Sequence, residues 1–201
     1  MAIVGIDKLS LLDYEDKVSV VLFAQACNMR CPFCHNGAAV LGASKQDEID
    51  FDEILAFLKT RTGLVDAVVF SGGEPTLLEE LLDEGLLDYV AMDIKNCPNL
   101  YAETCGLKFI NVDNIKKSIS LIINKAKDYE FRTTLVKEFH EKMDYETFLN
   151  SIKGAKRLFL QKFVDRDGCI KKGLHEVDVV EASKLRDYLS SEIPEVNLRG
   201  Y

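Results

Sequence analysis

The chain has 201 residues, 47% of them hydrophobic and 29% charged, with 33 acidic against 25 basic side chains and a formal net charge of −8. That length supports one well-buried domain, residues 1–201, and is too short to be read as two; the acidic balance argues against a nucleic-acid surface, which needs clustered cations, and Lys116-Lys117 and Lys171-Lys172 are only pairs on solvated faces. The longest apolar stretch near the N-terminus falls far below the ~20 residues of a membrane span, and Met1 to Asp7 has neither a basic region nor a cleavage signature, so the expectation is a cytoplasmic protein with reduced cysteines.

The first strand expected is the apolar run Val18 to Ala24. It opens onto a loop, residues 25–36, that carries Cys27, Cys31 and Cys34 in a C-x-x-x-C-x-x-C array. Thiolates are the usual ligands of iron–sulfur clusters, ordinarily one per iron. Three on one short loop can hold three irons of a cube and leave the fourth open to a small molecule. Other chemistries share parts of the pattern. Structural zinc wants four ligands around one ion, and His35, directly after Cys34, would be strained as the fourth. Cys31-Pro-Phe-Cys34-His35 also fits covalent haem attachment, which belongs to exported chains, and Cys31 with Cys34 resembles a thioredoxin-type dithiol, which leaves Cys27 unexplained. Three inert core thiols interrupted by Asn28, Arg30 and Pro32 fit poorly. The cluster reading is the strongest.

Further along, Asp50 to Thr60 reads as a helix with Phe51, Ile54, Leu55 and Leu58 on one face and Asp50 as its cap. Val65 to Phe70 is a strand ending in Ser71-Gly72-Gly73-Glu74-Pro75, Thr76 to Glu84 a short helix stopped at Gly85, and Leu87 to Ile94 a strand. Then follow a helix (Val112 to Lys127), a strand (Tyr129 to Val136), a helix (Asp144 to Lys153), a strand (Arg157 to Phe163), a helix (Asp178 to Ser190) and a last strand, Val196 to Arg199. Continuous apolar strands separated by amphipathic helices predict an α/β fold with a parallel sheet covered by helices, whose ligands bind where the strand C-termini emerge.

The unusual residues gather at that edge. The cysteine loop follows the first strand and Gly72-Gly73-Glu74 the second; Asp93 and Lys95 end the third on one face, opposite Met92 and Ile94; Arg132 lies in the fourth. Taken alone, the glycines serve equally as a tight turn or as a place where backbone approaches a ligand. Asp93 and Lys95 fit a surface ion pair less well than a buried polar mouth, because they follow the apolar stretch Tyr89 to Met92. His140 and His175 are expected at the surface, and Cys97, Cys105 and Cys169 as ordinary small residues.

Cys27-Asn-Met-Arg-Cys31-Pro-Phe-Cys34-His-Asn36, Ser71-Gly-Gly-Glu-Pro-Thr76, Asp88-Tyr-Val-Ala-Met-Asp-Ile-Lys95, Tyr129-Glu-Phe-Arg-Thr-Thr134 and Leu160-Gln-Lys-Phe163, in that order, resemble the radical S-adenosylmethionine (SAM) enzymes. Within them the chain is most similar to activating enzymes of glycyl-radical enzymes, particularly the anaerobic ribonucleoside-triphosphate reductase type. The resemblance implies a partial parallel (β/α) barrel and an oxidoreductase that cleaves SAM reductively at a [4Fe–4S] cluster and places a glycyl radical on a partner polypeptide. Cys27, Cys31 and Cys34 would be its catalytic, metal-binding residues. Phe33 would lie beside the adenine, Gly72, Gly73 and Glu74 would receive the methionine amino end, and Asp93, Lys95 and Arg132 would line the rest of the SAM pocket. Its partners would be an anaerobic ribonucleotide reductase and a flavodoxin or ferredoxin type electron donor, with a pyruvate formate-lyase type activase as the nearest alternative.

Relatives carry a further helix and strand between Thr76 and Glu79, ending in an Asp-Thr-Asn-Gly type motif, and this chain lacks that unit. The expected sheet is therefore short by one β/α unit, with about five main strands. The Glu74 and Asp93 strand ends come together, and a catalytically impaired iron–sulfur protein is a further reading.

Overall fold

The computed structural model describes residues 3–11, 14, 17–24, 27, 29–35, 49–71, 78–79, 82–83, 85 and 87–201. Its strands are β1 (Ile3–Ser10), β2 (Ser19–Ala24), β3 (Ala67–Ser71), β4 (Tyr89–Asp93), β5 (Asp128–Leu135), β6 (Arg157–Lys162) and β7 (Glu195–Arg199). The helices are α1 (Phe51–Arg61), α2 (Tyr101–Thr104), α3 (Val112–Lys125), α4 (Lys137–His140), α5 (Tyr145–Ser151) and α6 (Val179–Leu189). The five principal strands expected from the apolar runs are present as β2 to β6. The last strand joins them as β7, and β1, which the sequence reading does not single out, pairs antiparallel with β2. Leu78, Glu79, Leu82 and Asp83 are helical, within the short helix expected there.

The helix starts follow from their caps. The Asp50 carboxylate accepts from the N–H groups of Asp52 and Glu53, Asp144 caps α5 by accepting from Glu146 and Thr147, and Asp178 caps α6 by accepting from Val180. Asn111 caps α3 by accepting from Asp113 N–H.

One seven-stranded sheet runs in the order β1-β2-β3-β4-β5-β6-β7, and β2 to β7 are parallel. Because each parallel strand lies beside its predecessor, right-handed crossovers put every connecting helix on the same side. The pattern is therefore that of a barrel wall rather than a doubly wound sheet. Val20, Leu22, Val90, Phe131, Leu158 and Leu160 point to the helix side, where they share one core with Ile54, Ile122, Phe148 and Leu189. β3 bonds directly to β4, with Val69 opposite Tyr89 and Phe70 opposite Val90, so the two flanks of the missing unit are joined edge to edge.

The other face has a different character. Val21, Val69 and Tyr89 form a small apolar cluster, capped by Tyr14, whose ring stacks on Tyr89 at 3.9 Å. Beside it Glu130, with a side chain only 4% exposed, accepts a hydrogen bond from the Tyr89 hydroxyl (2.8 Å), one from Arg132 Nε, and a fork from Arg199 at 3.1 and 3.2 Å. Burial works to raise its pKa, but Arg199, Arg132 and Tyr89 outweigh that and hold it below the usual carboxylate range. A carboxylate with a depressed folded pKa contributes stability above its unfolded pKa and loses it as the pH falls through the folded one. Glu130→Gln, which removes the carboxylate that Tyr89, Arg132 and Arg199 share, is expected to cost about 2–4 kcal/mol at neutral pH and much less in acid. Urea unfolding of both proteins at neutral and acid pH measures this.

Candidate functional site

β2 delivers the chain into the cysteine loop, and this loop is clamped on both flanks. On one side Arg30 N–H donates to the Cys105 carbonyl at 2.8 Å, while the Arg30 guanidinium bonds the carbonyls of Cys27 (2.9 Å) and Met29 (2.8 Å). On the other, Lys171 N–H donates to the Pro32 carbonyl at 2.7 Å, and the His35 ring bonds the Val164 carbonyl at 2.9 Å. Two glycines make the fit possible. A Cβ on Gly106 (φ +66) would stand 2.2 Å from the Arg30 carbonyl oxygen, and one on Gly168 (φ +108) would stand 2.7 Å from that of His35.

Within the clamp a turn closes from Cys34 N–H to the Cys31 carbonyl at 3.0 Å. Cys27 is exposed, Cys34 half-buried and Cys31 buried. The neighbouring Cys105 thiol and the Lys95 charge hold the Cys31 thiol below its ordinary range, against the opposing effect of burial. Cys31 is thus readily the thiolate that a metal needs. Among the described residues, no three His, Cys, Asp or Glu side chains converge tightly enough to hold one metal ion. No tetrahedral zinc-type site is therefore assembled among them, whereas an iron–sulfur cube takes each thiolate on a different iron and does not need them to meet at a point.

Phe33 is 5% exposed, and the Lys95 ammonium lies over its ring, 5.9 Å from the centroid. Lys95 is paired with Asp93 at 2.6 Å, with side-chain exposures of 20% and 45%. Burial disfavours both charges, but each is upheld by the other: the Asp93 carboxyl stays below its ordinary range, with help from Arg132, and the Lys95 ammonium above its own, with help from Cys31. Arg132 sits opposite Asp93 in the β4–β5 register and also bonds Glu130. Cys31, Phe33, Asp93, Lys95 and Arg132 are thus neighbours at the C-terminal edge of the sheet. Gly72, Gly73 and Glu74 lie outside the described residues; Ser71, just before them, is in register with Phe23, so β3 ends at the edge where the cysteine loop begins.

Three contributors escaped the sequence reading. Cys105 is fully buried against Met29 and Cys31. The Tyr101 hydroxyl is buried against the Lys95 backbone without a hydrogen bond of normal geometry, an unspent polar group in the field of Asp93 and Lys95. His140, expected at the surface, is 5% exposed, whereas His175 is exposed as expected. His140 Nδ1 lies within hydrogen-bond distance of both the N–H (3.0 Å) and the carbonyl (2.9 Å) of Val136, and its Nε2 lies 2.9 Å from the Lys95 carbonyl. His140 therefore anchors the backbone of Lys95.

Burial lowers the His140 pKa. A base with a depressed folded pKa is neutral when folded and takes up its proton on unfolding, so its contribution is whole above the unfolded value of about 6.5 and drains as the pH falls below it. Stability is expected to fall by up to about 1.4 kcal/mol per pH unit just below 6.5, and His140→Gln should flatten that limb. Denaturant midpoints from pH 7.5 to 5.5 check this.

A family model described as the Radical SAM superfamily matches residues 21–158, which include the cysteine loop, Asp93, Lys95 and Arg132. The chain belongs to the radical SAM superfamily. A Methanocaldococcus jannaschii protein, named provisionally as a glycyl-radical enzyme activating enzyme, is 31% identical over 199 residues, covering 81% of this chain and 80% of its own. Among solved structures, a radical SAM methyltransferase from Sphaerobacter thermophilus superposes with TM-score 0.62 at 13% identity, covering 92% of this chain and 67% of the other. A domain of pyruvate-formate lyase-activating enzyme from Bacteroides vulgatus gives 0.52 at 16%, covering 74% and 91%. At such identities these two establish the shared fold.

This radical SAM chain is therefore an enzyme whose family cofactors are a [4Fe–4S] cluster and SAM. Its residues fit that pair. Three thiols stand on a braced loop, and beside them lie an aromatic face, a cation–carboxylate pair and the unspent Tyr101 hydroxyl, donors and acceptors suited to a zwitterionic amino-acid end and a nucleoside. No helix among the described residues is long and apolar enough to cross a membrane.

Proposed function

We propose that this enzyme activates a glycyl-radical enzyme in the cytoplasm. The likeness to the Methanocaldococcus jannaschii protein across four-fifths of both chains carries this reading. In it, Cys27, Cys31 and Cys34 hold the cluster and leave one iron for the amino and carboxylate groups of SAM. Phe33 packs beside the adenine, and Gly72, Gly73 and Glu74 receive the methionine amino end. Lys95 faces the carboxylate or ribose side, Asp93 holds the Lys95 ammonium in place, and Arg132 completes the wall, steadied by Glu130. The bound pair supplies a one-electron cleavage of the sulfonium that yields methionine and a 5′-deoxyadenosyl radical able to take hydrogen from a glycine. The electron comes from a flavodoxin or ferredoxin type donor. The partner we assign is an anaerobic ribonucleoside-triphosphate reductase, on the motif resemblance; a pyruvate formate-lyase type enzyme is the nearest substitute.

A second reading, a cluster protein without SAM turnover, is favoured by one observation. The direct β3–β4 pairing means that polar groups a further strand would present are not supplied between these two. Anaerobic reconstitution followed by reductant and SAM separates the readings. Release of 5′-deoxyadenosine, and a glycyl-radical EPR doublet when a candidate reductase is added, is the expected result. A stable cluster with no nucleoside product would favour the second reading, and a doublet only on a pyruvate formate-lyase type protein would reassign the partner.

A further inference from the structure

Tyr101 has no part in that reading, yet the fold places it at the pocket. It opens α2, the short helix through which the chain returns from the end of β4 to the cysteine loop. Tyr101, Thr104 and Cys105 are spaced three and four residues apart and share the buried face of that turn. Through Thr104 this face meets Asn96, directly after Lys95: Asn96 Nδ2 donates to the Thr104 hydroxyl at 2.9 Å. Through Cys105 it meets the cysteine loop, with Sγ 3.4 Å from Met29 Sδ and the carbonyl accepting the Arg30 N–H at 2.8 Å. Lys95 and Asp93 are the charged groups that act on the Tyr101 hydroxyl. Tyr101 is 2% exposed, and this hydroxyl has no hydrogen-bond partner among the described residues. A buried tyrosine hydroxyl ordinarily finds a partner, and one without it destabilises the fold. Folding alone gives no reason for this oxygen, since phenylalanine would fill the same space.

We propose that the Tyr101 hydroxyl is a SAM-binding group that donates a hydrogen bond to the carboxylate of the methionine end. The inference rests on the SAM pocket assigned above. The Lys95 ammonium and a phenolic O–H are both donors, and two donors acting in one place suit an anion. The carboxylate is the one anionic group of SAM, whereas its ammonium and sulfonium groups are repelled by Lys95. A phenol supplies this donor without adding charge, so the Asp93–Lys95 pair stays intact.

The test compares wild type and Tyr101→Phe after anaerobic reconstitution, with the cluster kept oxidised so that SAM is not turned over. Iron is assayed first. Equilibrium dialysis then gives the dissociation constant of SAM, competition against SAM gives those of methionine and 5′-deoxyadenosine, and urea unfolding without ligand gives the midpoint. In Tyr101→Phe the constants for SAM and methionine are expected to rise about tenfold, the loss of one hydrogen bond to a charged group, while that for 5′-deoxyadenosine stays within about twofold and iron content is unchanged. The midpoint should hold or rise, because a buried hydroxyl without a partner has been removed. A lowered midpoint would mean that the hydroxyl is bonded within the protein, and would overturn the proposal whatever the affinities. So would equal SAM affinity in the two proteins, or a loss confined to 5′-deoxyadenosine, which would put the hydroxyl on the nucleoside. Wild-type protein that holds its cluster and binds no SAM would instead sink the pocket assignment, and this inference with it.

Discussion

Cys31→Ala is expected to abolish cluster assembly: after anaerobic reconstitution the variant should bind less than about a tenth of the iron of the wild type and lose the charge-transfer absorption of an iron–sulfur cube. The middle thiol is the buried one of the three, and Cys105 and the Lys95 charge both favour its thiolate. Two thiols alone cannot hold three corners of a cube. Cys27→Ala and Cys34→Ala are expected to act alike, since each removes one corner. Stability should change little in Cys31→Ala, because the loop is braced by backbone hydrogen bonds that the substitution leaves intact. Normal iron content with an intact fold would refute the assignment of Cys31 as a ligand.

Gly106→Ala should damage the protein through the backbone instead. The residue has φ +66, and an added Cβ would meet the Arg30 carbonyl at 2.2 Å, with backbone on both sides of the clash. A left-handed conformation costs a non-glycine residue roughly 1–2 kcal/mol, and relieving the overlap requires moving Arg30 away from Cys105. Together these are expected to lower stability by about 3 kcal/mol or more. They should also loosen the loop enough to reduce iron retention, though all three cysteines remain. The two variants thus separate ligand loss from loop displacement: one leaves the denaturant midpoint and removes the iron, the other lowers both. A Gly106→Ala protein with the wild-type midpoint would show that the Arg30–Cys105 contact does not brace the loop.

Strands buried between helices and barrel interior are nearly continuous apolar runs, which is why β2, β3 and β4 stand out in the sequence, while β5 (Asp-Tyr-Glu-Phe-Arg-Thr-Thr-Leu) shows alternation and β6 a short apolar centre, Leu158 to Leu160. β1 does not stand out, because its pattern Ile-Val-Gly-Ile-Asp-Lys-Leu-Ser is broken by Gly5 and exposes Asp7, Lys8 and Leu9 along an edge. Helix starts are equally legible where Asp50, Asp144 and Asp178 supply local caps. At the site, chemistry written in short spacings is readable: the cysteine triad, and Asp93 with Lys95 two positions on. Contacts that bring distant segments together are not. Cys105 reaches the cysteine loop only because α2 folds back after β4, and nothing in Glu-Thr-Cys-Gly marks that return. His140 is buried because it closes on Val136, four residues earlier, while meeting Lys95 from another strand end. Its local bond to Val136 had a recognisable spacing, but the partner that buries it is remote.

Mössbauer spectroscopy of protein reconstituted with iron-57, recorded before and after SAM is added, tests the central claim most directly. Three protein thiolates and one open corner predict a cube in which about one iron in four has its own isomer shift, and only that iron moves when SAM binds. Four equivalent, thiolate-ligated irons that ignore SAM, or no cube at all, would contradict it.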